Sequence, residues 1–378
     1  MIENVNKPHI CFVSESEATY GLLTGKAVKK AGGAYLQQFI VACELRKLGY
    51  PVSFVVQDFG QPRKLVTSDG ITLIKTCRLN TGIRFLRGLK WIRSALKAMA
   101  EAGAEIYYER GAGMITGITA FFCRVRRRVF IYSVAHNDDL DGSWRRSFTA
   151  WDYMMYQYGL SHADMIVVQS DDQMQMLHDN LKEKSRLIRS TFIVPPNRQS
   201  ECSRNSILWV SVVRQMKRPR LFIELSQRLP QYSFVMVGGP SVGEERLYED
   251  ICAKAKDIRN LETTGPVPIV EVGEYFDKAL LFVNTTSTEG FPNTFLQAWC
   301  RGIPVVTTFD PDSIVEKHGL GRYCSNLDEL EKAVSELAQN EAMRKQIGER
   351  AMKYVYEHHS SESVGLEYDK LFLSLCGD

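Results

Sequence analysis

The chain has 378 residues, of which 44% are hydrophobic and 24% charged, and its net charge is +3. The length favours two domains over one core, and the composition excludes disordered and fibrous classes. No apolar run is long enough to span a bilayer and residues 1–8 lack a signal-peptide core, while nine scattered cysteines with no Cys-x-x-Cys pair read as reduced thiols of a cytosolic protein.

The charge is uneven. Residues 1–200 carry 27 Lys and Arg against 18 Asp and Glu, whereas the remainder carries 20 against 26. A basic first half is compatible with nucleic acid, and a negatively charged membrane surface or a phosphorylated ligand fits it as well. In chain order, His9–Val13 reads as a strand, and a polar, Gly-rich loop follows through Gly33. Helical spacing then runs over Ala34–Lys47 and stops at Gly49. Strands are predicted at Pro51–Val56, Ile71–Ile74, Ile106–Tyr108, Val129–Val134 and Met165–Val168. Helices are predicted near Arg84–Ala100, Met114–Cys123, Trp144–Leu160 and Asp171–His178, the last capped by Ser170 or Asp171.

Around Pro195–Arg204 the chain turns polar and Pro-rich, as an interdomain linker does. The alternation then restarts. Strands are predicted at Ser206–Val210, Phe234–Val237, Leu280–Val283 and Ile303–Val306, and helices at Pro219–Arg228 and Pro292–Trp299. The tail is helical over Asn326–Leu337, Ala342–Glu357 and Val364–Leu375. Repeated strand–helix units predict two doubly wound, Rossmann-like α/β domains with parallel sheets, one over residues 1–195 and one over 205–358. In such folds ligands bind beyond the carboxyl ends of the strands, so two sets of ends would make an interdomain cleft.

The strongest chemical signal is Glu289-Gly290-Phe291-Pro292-Asn293-Thr294, between a predicted strand and a predicted helix. With Pro292 in the first turn, the Asn293 and Thr294 amides point out of the helix start, where they and the helix dipole favour a phosphate. The Glu289 carboxylate precedes that point and can accept hydrogen bonds from sugar hydroxyls, and Gln297 lies one turn further on. A second loop, Arg214-Gln-Met-Lys217-Arg218, supplies cations that would offset charge growing on a leaving diphosphate. Arg218 reads as solvated. Gly32-Gly33 opens the first long helix and permits close backbone approach to a ligand. His136 and the pair Glu109-Arg110 each follow or end a strand.

Together these segments resemble the retaining glycosyltransferase family 4, which has the GT-B fold. The resemblance implies a nucleoside-diphosphate sugar donor, UDP by default, and no cofactor or bound metal. It places Glu289 and Gly290–Thr294 on the donor, Gln297 at a position where the family has a second Glu for the ribose, and Lys217 on the diphosphate. It places Gly32 and Gly33 beside the diphosphate and acceptor, and His136 close to the donor sugar. Val212 stands where the family has Arg, with Arg214 two residues on. Glu109 and Arg110 are assigned to the acceptor, a saccharide or lipid-linked saccharide of surface polysaccharide synthesis. The resemblance also implies that a last helix, about 360–378, packs back on the first domain.

Asp139-Leu-Asp141 has the spacing of a metal-binding Asp-x-Asp but sits away from the donor signature, so these acids read as loop or cap residues. The helix from Arg84 to Lys97 carries a basic residue every three or four positions, with Phe85, Leu89, Ile92 and Leu96 as the opposite face. It reads as a surface helix packed on its sheet. A second reading lays it on anionic lipid at the inner face of the plasma membrane, with Trp91 at the headgroups. Nucleic acid is not expected as a partner, because the basic residues come with no stacking platform. Two rival functions remain: a nucleotide-sugar epimerase on the same fold, and a nucleotide-sugar-binding protein of weak activity.

Overall fold

The computed structural model describes residues 7–26, 33–78, 84–143, 149–194, 204–269 and 271–376, with the side chains of 84–87 left aside. Gly32, the expected helix start at Trp144 and most of the Pro-rich stretch lie outside these residues. The chain forms two compact units, Met1–Thr191 with Ser361–Asp378, and Phe192–Ser360.

The first unit is built on eight strands: β1 (Ile10–Val13), β2 (Val52–Val56), β3 (Lys64–Val66), β4 (Thr72–Lys75), β5 (Ile106–Arg110), β6 (Val129–Ser133), β7 (Met165–Val168) and β8 (Ser185–Leu187). Their order is β3-β4-β2-β1-β5-β6-β7-β8, parallel except for the antiparallel β3. The central strands are apolar almost without interruption because both faces are covered. Along β1 the residues alternate. Cys11 and Val13 join a core with Trp91, Met99, Phe122 and Tyr156. Ile10 and Phe12 join the opposite core with Leu45, Tyr50, Leu371 and Phe372. Leu371 and Phe372 come from the helix Ser361–Cys376, whose Tyr368 hydroxyl lies 2.9 Å from that of Tyr108.

The second unit is a six-stranded parallel sheet of β9 (Ser206–Val210), β10 (Ser233–Val237), β11 (Leu261–Gly265), β12 (Ala279–Asn284), β13 (Val305–Thr307) and β14 (Gly321–Tyr323). Its order is β11-β10-β9-β12-β13-β14. The chain winds outward from β9 in one direction and from β12 in the other. The loops after these two neighbours therefore diverge and leave a crevice at their carboxyl ends, the usual ligand position of a doubly wound sheet. In the first unit the same reversal falls between β1 and β5. Gly238, just past β10, has φ +148, and a Cβ there would stand 1.8 Å from the Ser211 carbonyl oxygen. Only glycine lets that loop close on the one leaving β9.

The differences from the expected elements have local causes. The loop expected through Gly33 contains a helix, Glu17–Thr24. It is started by Ser16, whose hydroxyl accepts the Ala18 amide at 3.1 Å, and stopped by Gly25 at φ 68. The helix from Asp171 ends at Met176, and Ser170 caps it. The strands the sequence hid, β3, β8, β11 and β14, are the four sheet edges, partly exposed and, except for β11, only 3 residues long.

Candidate active site

Beyond β9 the chain runs extended to Arg214, makes a 3-10 turn over Gln215–Lys217, and passes through Arg218 at φ 45 into the helix Pro219–Arg228. Beyond β12 it forms the loop 285–292 and then the helix Asn293–Trp299. Because β9 and β12 are neighbours, these two loops start side by side, and hydrogen bonds zip them together. The Trp209 indole N–H donates to Thr285 Oγ1 at 2.9 Å, and Thr285 Oγ1 donates to the Lys217 carbonyl at 2.7 Å. The Ser287 amide donates to the Met216 carbonyl at 2.9 Å. The Arg218 guanidinium donates to the carbonyls of Thr285 at 2.7 Å and Thr286 at 3.0 Å, and to the Thr308 hydroxyl.

This bracing puts the Lys217 Nζ on Glu289 Oε1. Lys217 is 9% exposed, so the pair is held in place by the packed stems around it. Two residues chosen on separate motifs, 72 positions apart, thus share one point at the switch of the sheet. Arg218, expected to be solvated, instead ties the carbonyls of the neighbouring loop. A guanidinium has five donors in a fixed fork, which suits it to gather several acceptors at once. Trp209 and Thr285, which the sequence reading passed over, set the spacing of the two loops.

The rest of the motif divides by what its side chains do. Gly290, Phe291 and Pro292 are buried, and the Phe291 ring stacks on His359 with centroids 5.0 Å apart and meets Trp299 at 6.4 Å. Phe291 therefore belongs to the core, which leaves only its backbone for a ligand. Pro292 is the N-cap rather than the first helical residue, with φ −69 and ψ 109. Its carbonyl accepts the Phe295 amide at 2.9 Å, and Asn293 and Thr294 form the first turn, both half-buried. Gln297 is half-buried one turn on. Arg214 is exposed, its Nε donating to Ser241 Oγ at 2.9 Å, and Val212 is exposed too.

In the first unit Gly33 opens the helix Gly33–Lys47 and is exposed. His136 follows β6 in a turn organised by Asp139, whose carboxylate accepts the amides of Ala135 at 2.9 Å and His136 at 3.1 Å. Burial pushes the Asp139 carboxyl up to about 6. The His136 Nδ1 accepts the Asp138 amide at 3.1 Å, so the neutral ring carries its proton on Nε2. Asp141 accepts the Ser143 amide at 2.8 Å and its hydroxyl at 2.6 Å. Both acids of the Asp-x-Asp thus hold turns.

Glu109 is a correction. β5 runs two residues further than expected, to Arg110, and Glu109 points into the core, 3% exposed. Burial raises its carboxyl well above the ordinary carboxylate range, and at 3% exposure it presents no open carboxylate to an acceptor. Arg110 is half-buried and donates to Ser133 Oγ at 2.9 Å. Trp91 is the second correction. Its ring is 3% exposed in the core, and its indole N–H donates to Glu15 at 2.6 Å. It cannot lie at lipid headgroups. Leu89, expected on the packed face, is 43% exposed, and the buried stripe runs through Trp91, Ala95, Ala98 and Met99 instead. Among the described residues no helix is long and apolar enough to cross a membrane.

Residues 196–354 match the family described as glycosyl transferases group 1. A stretch of 122 residues is 27% identical to alpha-monoglucosyldiacylglycerol synthase of Acholeplasma laidlawii, spanning 32% of this chain and 30% of that enzyme. Among solved structures, sucrose-phosphate synthase of Thermosynechococcus elongatus superposes with a TM-score of 0.78 at 16% identity, over 98% of this chain and all of that one. HepE of Anabaena, solved with UDP and glucose, gives 0.75 at 15% identity over 97% of this chain and all of that one. The chain has the GT-B fold, and residues 196–354, most of its second unit, match glycosyl transferases group 1.

Proposed function

We propose that the protein is a retaining glycosyltransferase of family 4 type that moves a sugar from a nucleoside-diphosphate donor, UDP-sugar by preference, to a saccharide or lipid-linked saccharide. The observation that carries this reading is the Lys217–Glu289 pair at the reversal between β9 and β12. In this reading Lys217 offsets the charge growing on the departing diphosphate, together with the first-turn amides of Asn293 and Thr294. Glu289 takes hydroxyls of the transferred sugar, and Gln297 serves the ribose with an amide where a carboxylate would bind more strongly. Arg214 reaches the diphosphate from the exposed side of the loop. His136 acts near the anomeric carbon, Gly32 and Gly33 line the diphosphate, and Arg110 meets the acceptor. No metal is required, because cations and amides do its electrostatic work.

The relative that synthesises a glucosylated diacylglycerol supports a lipid acceptor. So does the first unit, where Lys90, Arg93 and Lys97 are exposed on one helix, and Arg124 and Arg126–Arg128 at the end of the next. Phe121 and Val125, 50% and 62% exposed, stand among those arginines. Such a basic face with apolar tips suits peripheral contact with an anionic bilayer on the cytoplasmic side. It dispenses with Trp91.

The test is transfer from radiolabelled UDP-glucose and UDP-N-acetylglucosamine to a lipid-extract acceptor by wild type and Glu289→Gln. A loss of about 100-fold or more is expected, the scale of one misplaced electrostatic contact in a transition state. Transfer by the variant at the wild-type rate rejects the role, and an epimerised donor without transfer moves the enzyme to another class.

A further inference from the structure

At the carboxyl ends of β2 and β4 in the first unit lies a cavity of about 240 Å³ lined by Asp58, Arg63, Lys75, Thr76, Ser94 and Lys97 among others. Lys75 ends β4, and Asp58 stands two residues past β2. Three of these side chains are cations, and Arg78, outside the lining, adds a fourth beside Asp58, donating to its carbonyl at 2.5 Å. Two acids answer them. Asp58 sits 3.3 Å from the Lys75 Nζ, and Glu101 takes both the Nε and Nη2 of Arg63. Lys97 has no hydrogen-bonded or ion-paired partner among the described residues.

The two acids report the local potential. The Asp58 carboxyl is held below its usual range by the Gly60 amide, and also by Lys75 and Arg78. The Glu101 carboxyl is held down by Arg63, with help from Lys64 and Lys97. Four cations, Arg63, Lys75, Arg78 and Lys97, stand against the two acids Asp58 and Glu101, so positive charge is in excess after internal pairing.

The walls also offer neutral hydrogen-bonding groups. Ser94 Oγ accepts the Cys77 amide at 2.9 Å, which leaves its own proton to donate. The floor is rigid: Thr76 is buried and its hydroxyl donates to Glu15 at 2.8 Å, the same carboxylate that Trp91 holds from the other side. An open, rigid-floored cavity with surplus ammonium and guanidinium groups and a hydroxyl donor matches the chemistry of a phosphate ester. It does not match a metal, which wants oxygen ligands without cations, and its surplus positive charge favours an anion over a neutral sugar.

We propose that this cavity is a phosphate-binding site of the first unit, with Lys97 and Arg63 as the groups that take the anion and Lys75 as its fixed base. That the phosphate belongs to the sugar acceptor rests on the transferase reading; that it binds here does not. The test uses the full-length protein and three probes: inorganic phosphate and glycerol 3-phosphate by calorimetry, and phosphatidylcholine vesicles with and without phosphatidic acid by sedimentation. Lys97→Gln and Arg63→Gln are each expected to weaken binding about tenfold, as loss of a charge-assisted bond does. Arg186→Gln, the same charge change on the exposed β8 at the opposite sheet edge, is expected to change it less than about twofold.

A preference for phosphatidic acid vesicles that is lost in both Lys97→Gln and Arg63→Gln but kept in Arg93→Gln, a basic-face residue outside the cavity, assigns the site to a lipid headgroup, and saturable binding of the soluble esters alone assigns it to a free phosphate ester. Failure of all three probes to saturate overturns the proposal, as does an equal loss in Arg186→Gln, which would mean diffuse attraction. UDP affinity, measured in the same variants, stays at the wild-type value if the two sites are separate, and a joint loss overturns the separate-site assignment.

Discussion

The two sheets of this protein have the same winding and a switch point each, yet they treat their strand ends differently. In the second unit the loops after β9 and β12 turn outward and are laced by Trp209, Thr285, Ser287 and Arg218 until Lys217 meets Glu289. In the first unit the ends of β1 and β5 turn polar groups inward. Glu15 is engaged by Trp91 and Thr76, and Glu109 lies within the core. Fold alone therefore does not make a strand-end acid a contact group. What decides is whether the loop after it is braced open or the strand continues past it.

The comparison can be broken most severely at Gly238. An alanine there would force its Cβ against the Ser211 carbonyl at a positive φ, in the wall of the braced crevice. Gly238→Ala is expected to destabilise the second unit by roughly 4 kcal/mol, among the largest single-site effects. Urea unfolding followed by tryptophan fluorescence, with Trp209 and Trp299 buried on opposite faces of that unit's sheet, reads it. A midpoint unchanged within error would mean that the loop relaxes freely and the bracing has little force.

Asp139 tests the inward habit of the first unit through pH. Its carboxyl rises to about 6 in the folded chain, against an unfolded value of about 3.9. Between those values the folded chain holds more protons than the unfolded one. The stability of the neutral form is full below about pH 4 and is lost as pH climbs through 6. Asp139→Asn cannot ionise and keeps an oxygen for the Ala135 and His136 amides. Relative to wild type it should gain up to roughly 3 kcal/mol between pH 4 and pH 7.5. A stability difference that stays constant over that range contradicts the assignment.

The smallest effect is expected at Glu109. Because burial favours its neutral form, Glu109→Gln is expected to change little: transfer within about threefold of wild type and a melting point shifted by a degree or two at pH 7. A large loss of transfer there, alongside a mild one for Glu289→Gln, would invert the comparison between the units.

Much of this was legible in the letters. Parallel central strands appear as apolar runs because both faces are covered, and the Glu-Gly-Phe-Pro-Asn string stands out by chemistry and position. The edge strands β3, β8, β11 and β14 were hidden because a short, half-exposed strand keeps polar residues and leaves no run to see. Glu109 was misjudged for a related reason. Two polar letters looked like the end of β5, but backbone pairing of Glu109 with Tyr132 and Arg110 with Ser133 carries the strand on. Trp91 was misplaced because the Arg84–Ala102 helix carries two adjacent apolar stripes, and spacing does not rank them. The packed one is chosen by the Glu15 carboxylate, 76 positions away, that the indole N–H can reach. The Trp209–Thr285–Lys217 chain joins residues up to 76 positions apart through single hydrogen bonds, which no local pattern encodes.

The central claim is that the ammonium brought onto Glu289 serves a nucleoside diphosphate. Calorimetric titration of UDP into wild type and Lys217→Ala, with circular dichroism to confirm an intact fold, addresses it directly. The account predicts saturable binding to the wild type and affinity at least about tenfold weaker in the variant. Equal affinity in a folded Lys217→Ala would contradict it, since the best-braced cation of the second unit would then have no part in holding the diphosphate.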